Sequence, residues 1–507
     1  MGTGLNPPKA LPITLSLPQR IRNARPMVSR FWRDCLRSRR WLPLLLAAIA
    51  WTATTEAKEQ RPPNVVLIYC DDLGWGDLGC FGAKKIRTPN IDKLARQGTR
   101  FTSFYVAQAV CSASRAALLT GCYANRVGIH GALGPKQKIG LHPEEMTLAE
   151  VLKPRGYATA IFGKWHLGRP PELLPTRQGF DEYFGLPYSN DMWPQNGNAA
   201  KGTYPPLPLI EGDRVIEETP DQSQLTRRYT ERAVSFIRRN AAGPFFLYLA
   251  HSMPHVPLFA GSRFAGRSRQ GLYGDVIEEI DGSVGEVLNA LKQSGLEKDT
   301  LVIFTSDNGP WLSYGEHGGS AGPFREGKGT SFEGGIRVPC VMRWPGHIPR
   351  GRTNDTPLMT IDVLPTVAGL AGAPLPSRKI DGLDVWPILR GDRGATNPHS
   401  AYFIYYNQGD LLAVRSGDWK LFFPHTSQTL AGRPGGTNGM AGRYQQLPVA
   451  LELYHLKRDP AERVNVIAQH PEVRDRLMAL AEAARVELGD KRLQRIGTGV
   501  REPGRVE

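Results

Sequence analysis

Four stretches of the chain are apolar at consecutive positions and then stop abruptly at polar residues: "PPNVVLIYCDD", "YATAIFGKWH", "PFFLYLAHSMPH" and "TLVIFTSDNG". A strand with one wet face alternates, whereas a strand covered on both faces is apolar throughout. These runs therefore predict buried parallel strands. Between them the spacing becomes helical. Ile91 to Gly98 follows a Thr-Pro start, and Thr147 to Leu152 is short. From Val276 to Leu291 the apolar residues Ile277, Ile280, Val284, Val287, Leu288 and Leu291 fall at helical intervals. Strands alternating with helices predict a doubly wound α/β sheet. In such sheets ligands bind beyond the carboxyl ends of the strands.

The stretch "AVCSASRAALLTG" follows a different logic. Ala116 to Leu119 are good helix formers and Gly121 supplies a stop, so a short helix should open at Cys111. Ser112 and Ser114 would satisfy orphan amides in its first turn, and Arg115 would share a face with Cys111. From about residue 396 the texture changes to "AYFIYYN", "LLAVRSGDWKLFFP" and "LELYHL", which read as antiparallel strands, followed by a helix from Pro471 to Leu488. A Gly-rich stretch, Thr426 to Gly442, interrupts this unit with the composition of a mobile surface loop, and the tail from Lys491 should fray. The expected organisation is an N-terminal extension and signal peptide (1–57), a catalytic domain (58–395), a smaller C-terminal α+β subdomain (396–490) and a basic tail (491–507).

Charge changes the picture at one end. Of the formal +15, nearly half sits in residues 1–57, where nine Lys or Arg face only Asp34 and Glu56. That segment ends "RSRRWLPLLLAAIAWTATTEA": a basic run, an apolar run and small residues, the three parts of a secretory signal. The apolar run is too short for a stable membrane span. A nucleic-acid-binding arm would have no need of the Leu/Ala block, so no nucleic-acid partner is expected. The chain should be periplasmic or secreted. One of its six cysteines, Cys35, lies in the leader; Cys70, Cys80, Cys111, Cys122 and Cys340 remain, an odd set without zinc spacing. That argues against a disulfide-built scaffold and for a thiol kept at Cys111 for a purpose.

The strand ends carry the chemistry. Asp71 and Asp72 close the first run, and Asp307 and Asn308 close the fourth. Such residues cap helices and make turns everywhere, but two pairs at two strand ends suit a hard cation such as Ca²⁺ or Mg²⁺. Lys164 and His166 follow the second run, His255 the third, and Lys328 lies in "REGKGTSFEGG". Each alone could be a surface lysine or a satisfied histidine; their shared position is the stronger signal. With a divalent cation, three carboxylates set against Arg115, Lys164 and Lys328 leave a net positive pocket, built for an anion. Two histidines supply an acid and a base.

Through "DDLGWGDLGCFG", "CSASRAALLTG", "GKWHLG", "GFDEYFGLPYSND", "DNGP", "GKGTSFEGGIRVP" and "LYHLKRDPAE", the chain resembles the type I, formylglycine-dependent sulfatases, near the arylsulfatase A and N-acetylgalactosamine-6-sulfatase branch. The resemblance implies the alkaline-phosphatase-like fold, a large mixed sheet flanked by helices with a smaller C-terminal subdomain. It implies a sulfatase that hydrolyses aryl sulfates or sulfated sugars. Cys111 would be oxidised to formylglycine by a formylglycine-generating or sulfatase-maturing enzyme, and its hydrate would attack sulfur. Asp71, Asp72, Cys111, Asp307 and Asn308 would hold Ca²⁺. His255 would protonate the leaving oxygen and His166 would deprotonate the second hydroxyl. Lys164, Lys328 and Ser189 would bind sulfate, Arg115 would orient the diol, and His425 would face the pocket from the C-terminal unit. Independently of the resemblance, the composition of the Gly-rich stretch, that of a mobile surface loop, suggests that it forms part of the substrate rim.

One departure stands out: the family's modification signal usually has proline where this chain has Ala113. Two rival readings are a phosphonate or phosphate ester hydrolase of the same superfamily and an inactive carbohydrate-binding relative with an unmodified Cys111. The leader pattern makes the first prediction. N-terminal sequencing of exported protein should find a terminus near Lys58; an intact Met1 or Met27 on soluble protein would overturn it.

Overall fold

In the computed structural model, which describes residues 61–507, the strand Asn64–Cys70 (β1) is buried at every position. The expected leader, Cys35 and the junction near Lys58 lie outside the described residues. Burial on both faces explains the unbroken apolar run. Val65, Leu67 and Tyr69 enter one core cluster, while Val66, Ile68 and Cys70 enter the other. The remaining central strands are β2 (Thr99–Tyr105), β3 (Ala158–Gly163), β4 (Phe245–Ala250), β5 (Thr300–Ser306) and β6 (Arg337–Arg343). The four apolar runs, β1, β3, β4 and β5, lie side by side in the order β5-β1-β4-β3, all parallel.

Antiparallel strands extend this parallel centre on both sides, so the 11-stranded sheet is mixed. Helices cover both faces. The helix α1 (Cys111–Thr120) packs on one side, and α2 (Leu225–Arg239) and α3 (Gly271–Gln293) on the other. Register then fixes the site. Cys70 pairs with Ser306, Tyr69 with Ala250, and Ala250 with Gly163. Asp71, Asp307 and Lys164 thus leave the sheet at one edge.

The C-terminal strands form a second, four-stranded antiparallel sheet: Tyr402–Tyr406, Asp410–Ser416, Trp419–Phe422 and Glu452–His455. The helix α4 (Pro471–Leu488) has the expected bounds. Two expectations are corrected. The Gly-rich stretch begins within a hairpin strand, His425–Thr429, that pairs with Gln445–Val449, so only the residues between are loop. The tail does not fray. Gly504–Arg505 pairs with Ile139–Gly140, and the Arg501 guanidinium donates to both Glu145 oxygens at 2.6 and 2.7 Å.

A buried ion cluster joins the two sheets. Lys420 donates to Glu333 at 3.1 Å and to Glu462 at 2.7 Å, and Glu462 also accepts from the Glu333 amide at 2.8 Å. All three side chains are fully buried. Breaking such a cluster by removing one partner strands an uncompensated charge, a cost of about 3–5 kcal/mol.

Just past β4, His251 is buried with Nδ1 unpartnered, and burial pushes its imidazole down to about 4. The unfolded chain binds a proton near pH 6.5 that the folded chain refuses, so this contribution to stability is present above that pH and lost as pH falls. Urea unfolding should therefore show about 3 kcal/mol less stability near pH 4 than at pH 7 from this residue. His251→Gln should flatten that slope; an unchanged acid slope would exonerate the residue.

Candidate active site

Cys111 is the first residue of α1, preceded by an extended Val110 and stopped at the far end by a left-handed Gly121. The helix is buried along its whole length. Its first-turn serines do not cap it. Ser112 accepts from the Leu133 amide at 2.9 Å, and Ser114 pairs with the Tyr69 hydroxyl at 3.0 Å. Their hydroxyls tie α1 to its surroundings, which the helical pattern could not reveal.

Backbone shape presents the neighbouring groups. Asp72 and His166 both adopt left-handed conformations, with φ of 66° and 61°, costly for residues with a β-carbon. Gly163 is required: at φ 122°, a Cβ there would lie 1.7 Å from the Ala250 carbonyl oxygen. The chain can therefore turn tightly into Lys164.

The expected residues converge. Lys164 donates to Asp71 at 2.5 Å and to Ser189 at 3.1 Å. Arg115 donates to one Asp307 oxygen at 2.8 and 3.1 Å, and its Nη1 reaches the Lys164 carbonyl at 3.1 Å. Lys328 lies 2.9 Å from Asp72 and 3.5 Å from the Cys111 sulfur. The Cys111 thiol in turn donates to Asp71 at 3.5 Å. His255 holds Nδ1 on the Val256 carbonyl at 2.6 Å, leaving Nε2 near Ser189 at 3.5 Å and Asp72 at 3.6 Å. His166 donates from Nε2 to the Leu133 carbonyl at 2.9 Å, and its buried Nδ1 has no partner.

Electrostatics sort these groups. Burial opposes ionisation of Asp71, but Lys164, His255, Arg115 and Lys328 outweigh it and hold the carboxyl well below its usual range. Burial and then the Asp71 charge push Asp307 up to about 7, against the pull of Arg115. Burial, reinforced by Lys164 and Arg115, keeps the His166 imidazole far below its ordinary value, so it is neutral. Burial also drives the Cys111 thiol well up, despite Lys164 and Lys328 nearby. The encoded sulfur is protonated.

Asp71, Asp72, Cys111 and His255 each offer a ligand atom within 4.8 Å of the others. Asn308 donates from Nδ2 to Asp72 at 2.7 Å, while its buried Oδ1 has no partner. An oxygen-rich donor set with one orphaned acceptor fits a hard divalent cation. His255, expected at this site as a proton donor and not as a ligand, lies with this group, and Asp307 is largely engaged by Arg115 and the Asp72 amide. His425 makes no hydrogen bond to the cluster. It lies 2.7 Å from the Phe423 carbonyl and 3.5 Å from Ser331. Sequence reading missed Tyr69, whose ring faces the Arg115 guanidinium at 5.4 Å, and Trp311, which touches two site residues. The only available signal for Trp311 was its place directly after "DNGP".

Calcium added to metal-free protein should raise its melting temperature, since a ligand at a hundredfold excess over its Kd stabilises the fold by about 2.7 kcal/mol. Asn308→Ala should remove most of that shift. Equal shifts in parent and variant would exclude Asn308 from the cation site.

Residues 63–373 match the Sulfatase family model, and residues 397–501 match the model of the C-terminal region of aryl-sulfatase. Arylsulfatase A of Homo sapiens is 42% identical over 450 residues, covering 84% of this chain and 86% of its own. N-acetylgalactosamine-6-sulfatase of Sus scrofa is 40% identical over 454 residues, covering 84% and 85%. The crystal structure of Ps i-CgsB in complex with k-i-k-neocarrahexaose superposes with a TM-score of 0.70 at 30% identity, covering 83% of this chain and 92% of that one.

Proposed function

The chain belongs to the sulfatase family of sulfuric ester hydrolases, and from that premise we propose that it cleaves sulfate monoesters through a formylglycine made from Cys111, on a bound calcium ion. The substrate is an aryl sulfate or a sulfated sugar, and the product pair is alcohol and inorganic sulfate. The observation that carries this reading is the state of Cys111: protonated, buried, and set among Asp71, Lys328 and the head of α1. A protonated thiol is a poor nucleophile. An aldehyde hydrate at the same point offers two hydroxyls, one to attack and one to leave by.

Asp71, Asp72, Asp307, Asn308 and residue 111 would hold the calcium, which when bound would supply Lewis-acid stabilisation of developing negative charge. Lys164, Lys328 and Ser189 bind sulfate oxygens, and Arg115 orients residue 111 from one helical turn away. One hydroxyl, having lost its proton to solvent, would attack sulfur as the bond to the alcohol oxygen breaks. His255 delivers the proton from Nε2, because Nδ1 is committed to Val256. His166 takes the proton of the second hydroxyl on Nδ1, the nitrogen without a partner. The carbon–oxygen bond to sulfate then breaks, the aldehyde re-forms, and water restores the hydrate. His425, 3.5 Å from Ser331, faces the substrate from the C-terminal unit. Residues 58–395 carry this chemistry, 396–490 complete the site wall, and the leader within 1–57 directs export. A maturation enzyme is the one protein partner required. No described helix is long and apolar enough to cross a membrane.

Protein made beside a competent maturation system should yield a residue-111 peptide lighter than encoded, and the intact protein should react with hydrazide probes. Cys111→Ala should abolish turnover, because nucleophile and exit route vanish together. Cys111→Ser should accept at most one sulfate per chain. Ala113→Pro should keep or raise the aldehyde fraction while costing about 1 kcal/mol, because it deletes the amide that donates to Gly131. Full activity with an intact thiol at Cys111 would end this mechanism.

A further inference from the structure

Trp311 has no acid, base or ligand to offer, yet its ring touches two groups assigned to the reaction. The Lys328 ammonium lies 4.2 Å from the ring centroid, and the His255 imidazole meets it edge-on at 5.4 Å. The backbone repeats the link, since the Lys328 amide donates to the Pro310 carbonyl at 2.9 Å. Lys328 and His255 both face Asp72, at 2.8 and 3.6 Å. A lysine ammonium ends a four-carbon stem with many rotamers, and an imidazole turns about its own bonds. A rigid aromatic surface shared by the two holds both toward one point.

The ring itself is braced from behind. Tyr314 packs edge-on to it at 4.9 Å. The Ser313 carbonyl accepts the Gly436 and Gly442 amides, each at 2.7 Å, and the Ser313 amide donates to the Tyr444 hydroxyl at 3.3 Å. Glu316 accepts the Asn438 amide at 2.6 Å. The contact is close enough to exclude side chains: a Cβ on Gly315, itself at φ 55°, would lie 2.1 Å from the Gly436 carbonyl oxygen. The glycine-rich segment expected to be a mobile loop is thus docked, and its glycines are what permit the approach.

We propose that Trp311, braced by the glycine-rich segment 430–444, is a positioning residue that holds Lys328 on the sulfate and aims His255 at the leaving-group oxygen. This inference rests on the sulfatase reading of those two residues. It makes a demand that a general role in folding does not. Help to the leaving oxygen matters most when the departing alcohol is weakly acidic and little when it departs readily as an acidic phenolate.

The test uses aldehyde-bearing enzyme and a panel of esters running from 4-nitrophenyl sulfate through less acidic aryl sulfates to an alkyl sulfate. Trp311→Ala should lower kcat on the alkyl sulfate roughly 10²-fold, with progressively smaller losses toward the nitrophenyl ester. Trp311→Phe should recover most of the loss, since a ring remains. Gly315→Val, which displaces the clamp, should give the same graded pattern with thermal melting still cooperative. If Trp311→Ala does not fold, Trp311→Leu carries the comparison. Equal losses on every ester, or no loss, would overturn the positioning role while leaving the sulfatase reading intact. Failure of the aldehyde-bearing parent to cleave any sulfate ester would overturn both.

Discussion

The site depends on one constraint: ionised groups removed from water must be paired. Asp71, Asp72 and Asp307 are buried at adjoining strand ends, and Arg115, Lys164 and Lys328 are buried against them. No single pair would repay its desolvation comfortably. Together they form a lattice in which each charge meets an opposite one, drawn from five separate stretches of chain. Folding the sheet in register and assembling the site are therefore one event. A shift of β1 against β5 would bury carboxylates without partners.

A second buried cluster shows why the C-terminal sheet belongs to the site's architecture. Lys420 lies on that sheet, whereas Glu333 follows Lys328 by five residues along the same Gly-rich turn. Gln428 adds a bond to the Lys328 carbonyl at 3.2 Å. The strand that carries Lys420 and the hairpin that carries Gln428 thus both hold the segment that presents Lys328. Residue 111 is fixed from the other side, by Ser112 to Leu133 and Ser114 to Tyr69. The segment 130–134 that receives the first of these contacts also supplies the Leu133 carbonyl that sets the His166 tautomer.

Much of this was written in the chain's order. Continuous apolar runs report burial on both faces, because a residue's exposure on a central strand does not depend on distant detail. Strand ends could be read for the same reason, and the residues at them were polar in kinds that suit a cation and an anion. The helix opening at Cys111 and the bounds of α4 followed from local propensity and caps. Here the sequence alone determined the layers, the edge at which chemistry occurs and the family.

Only the tertiary structure decided which groups meet. Side-chain pairings across the sheet depend on register and on backbone turns such as those at Gly163, Asp72 and His166, which no periodicity encodes. That is why the serines of α1 were misplaced. Composition misled for the glycine-rich segment. Glycine permits mobility and close approach alike, and only the positions of Ser313 and Gly315 against it show which applies. The tail from Lys491 failed for a related reason: Arg501 is soluble in isolation but finds Glu145, a partner far away along the chain. Local pattern fixes what a residue can do, and the register of distant segments fixes what it touches.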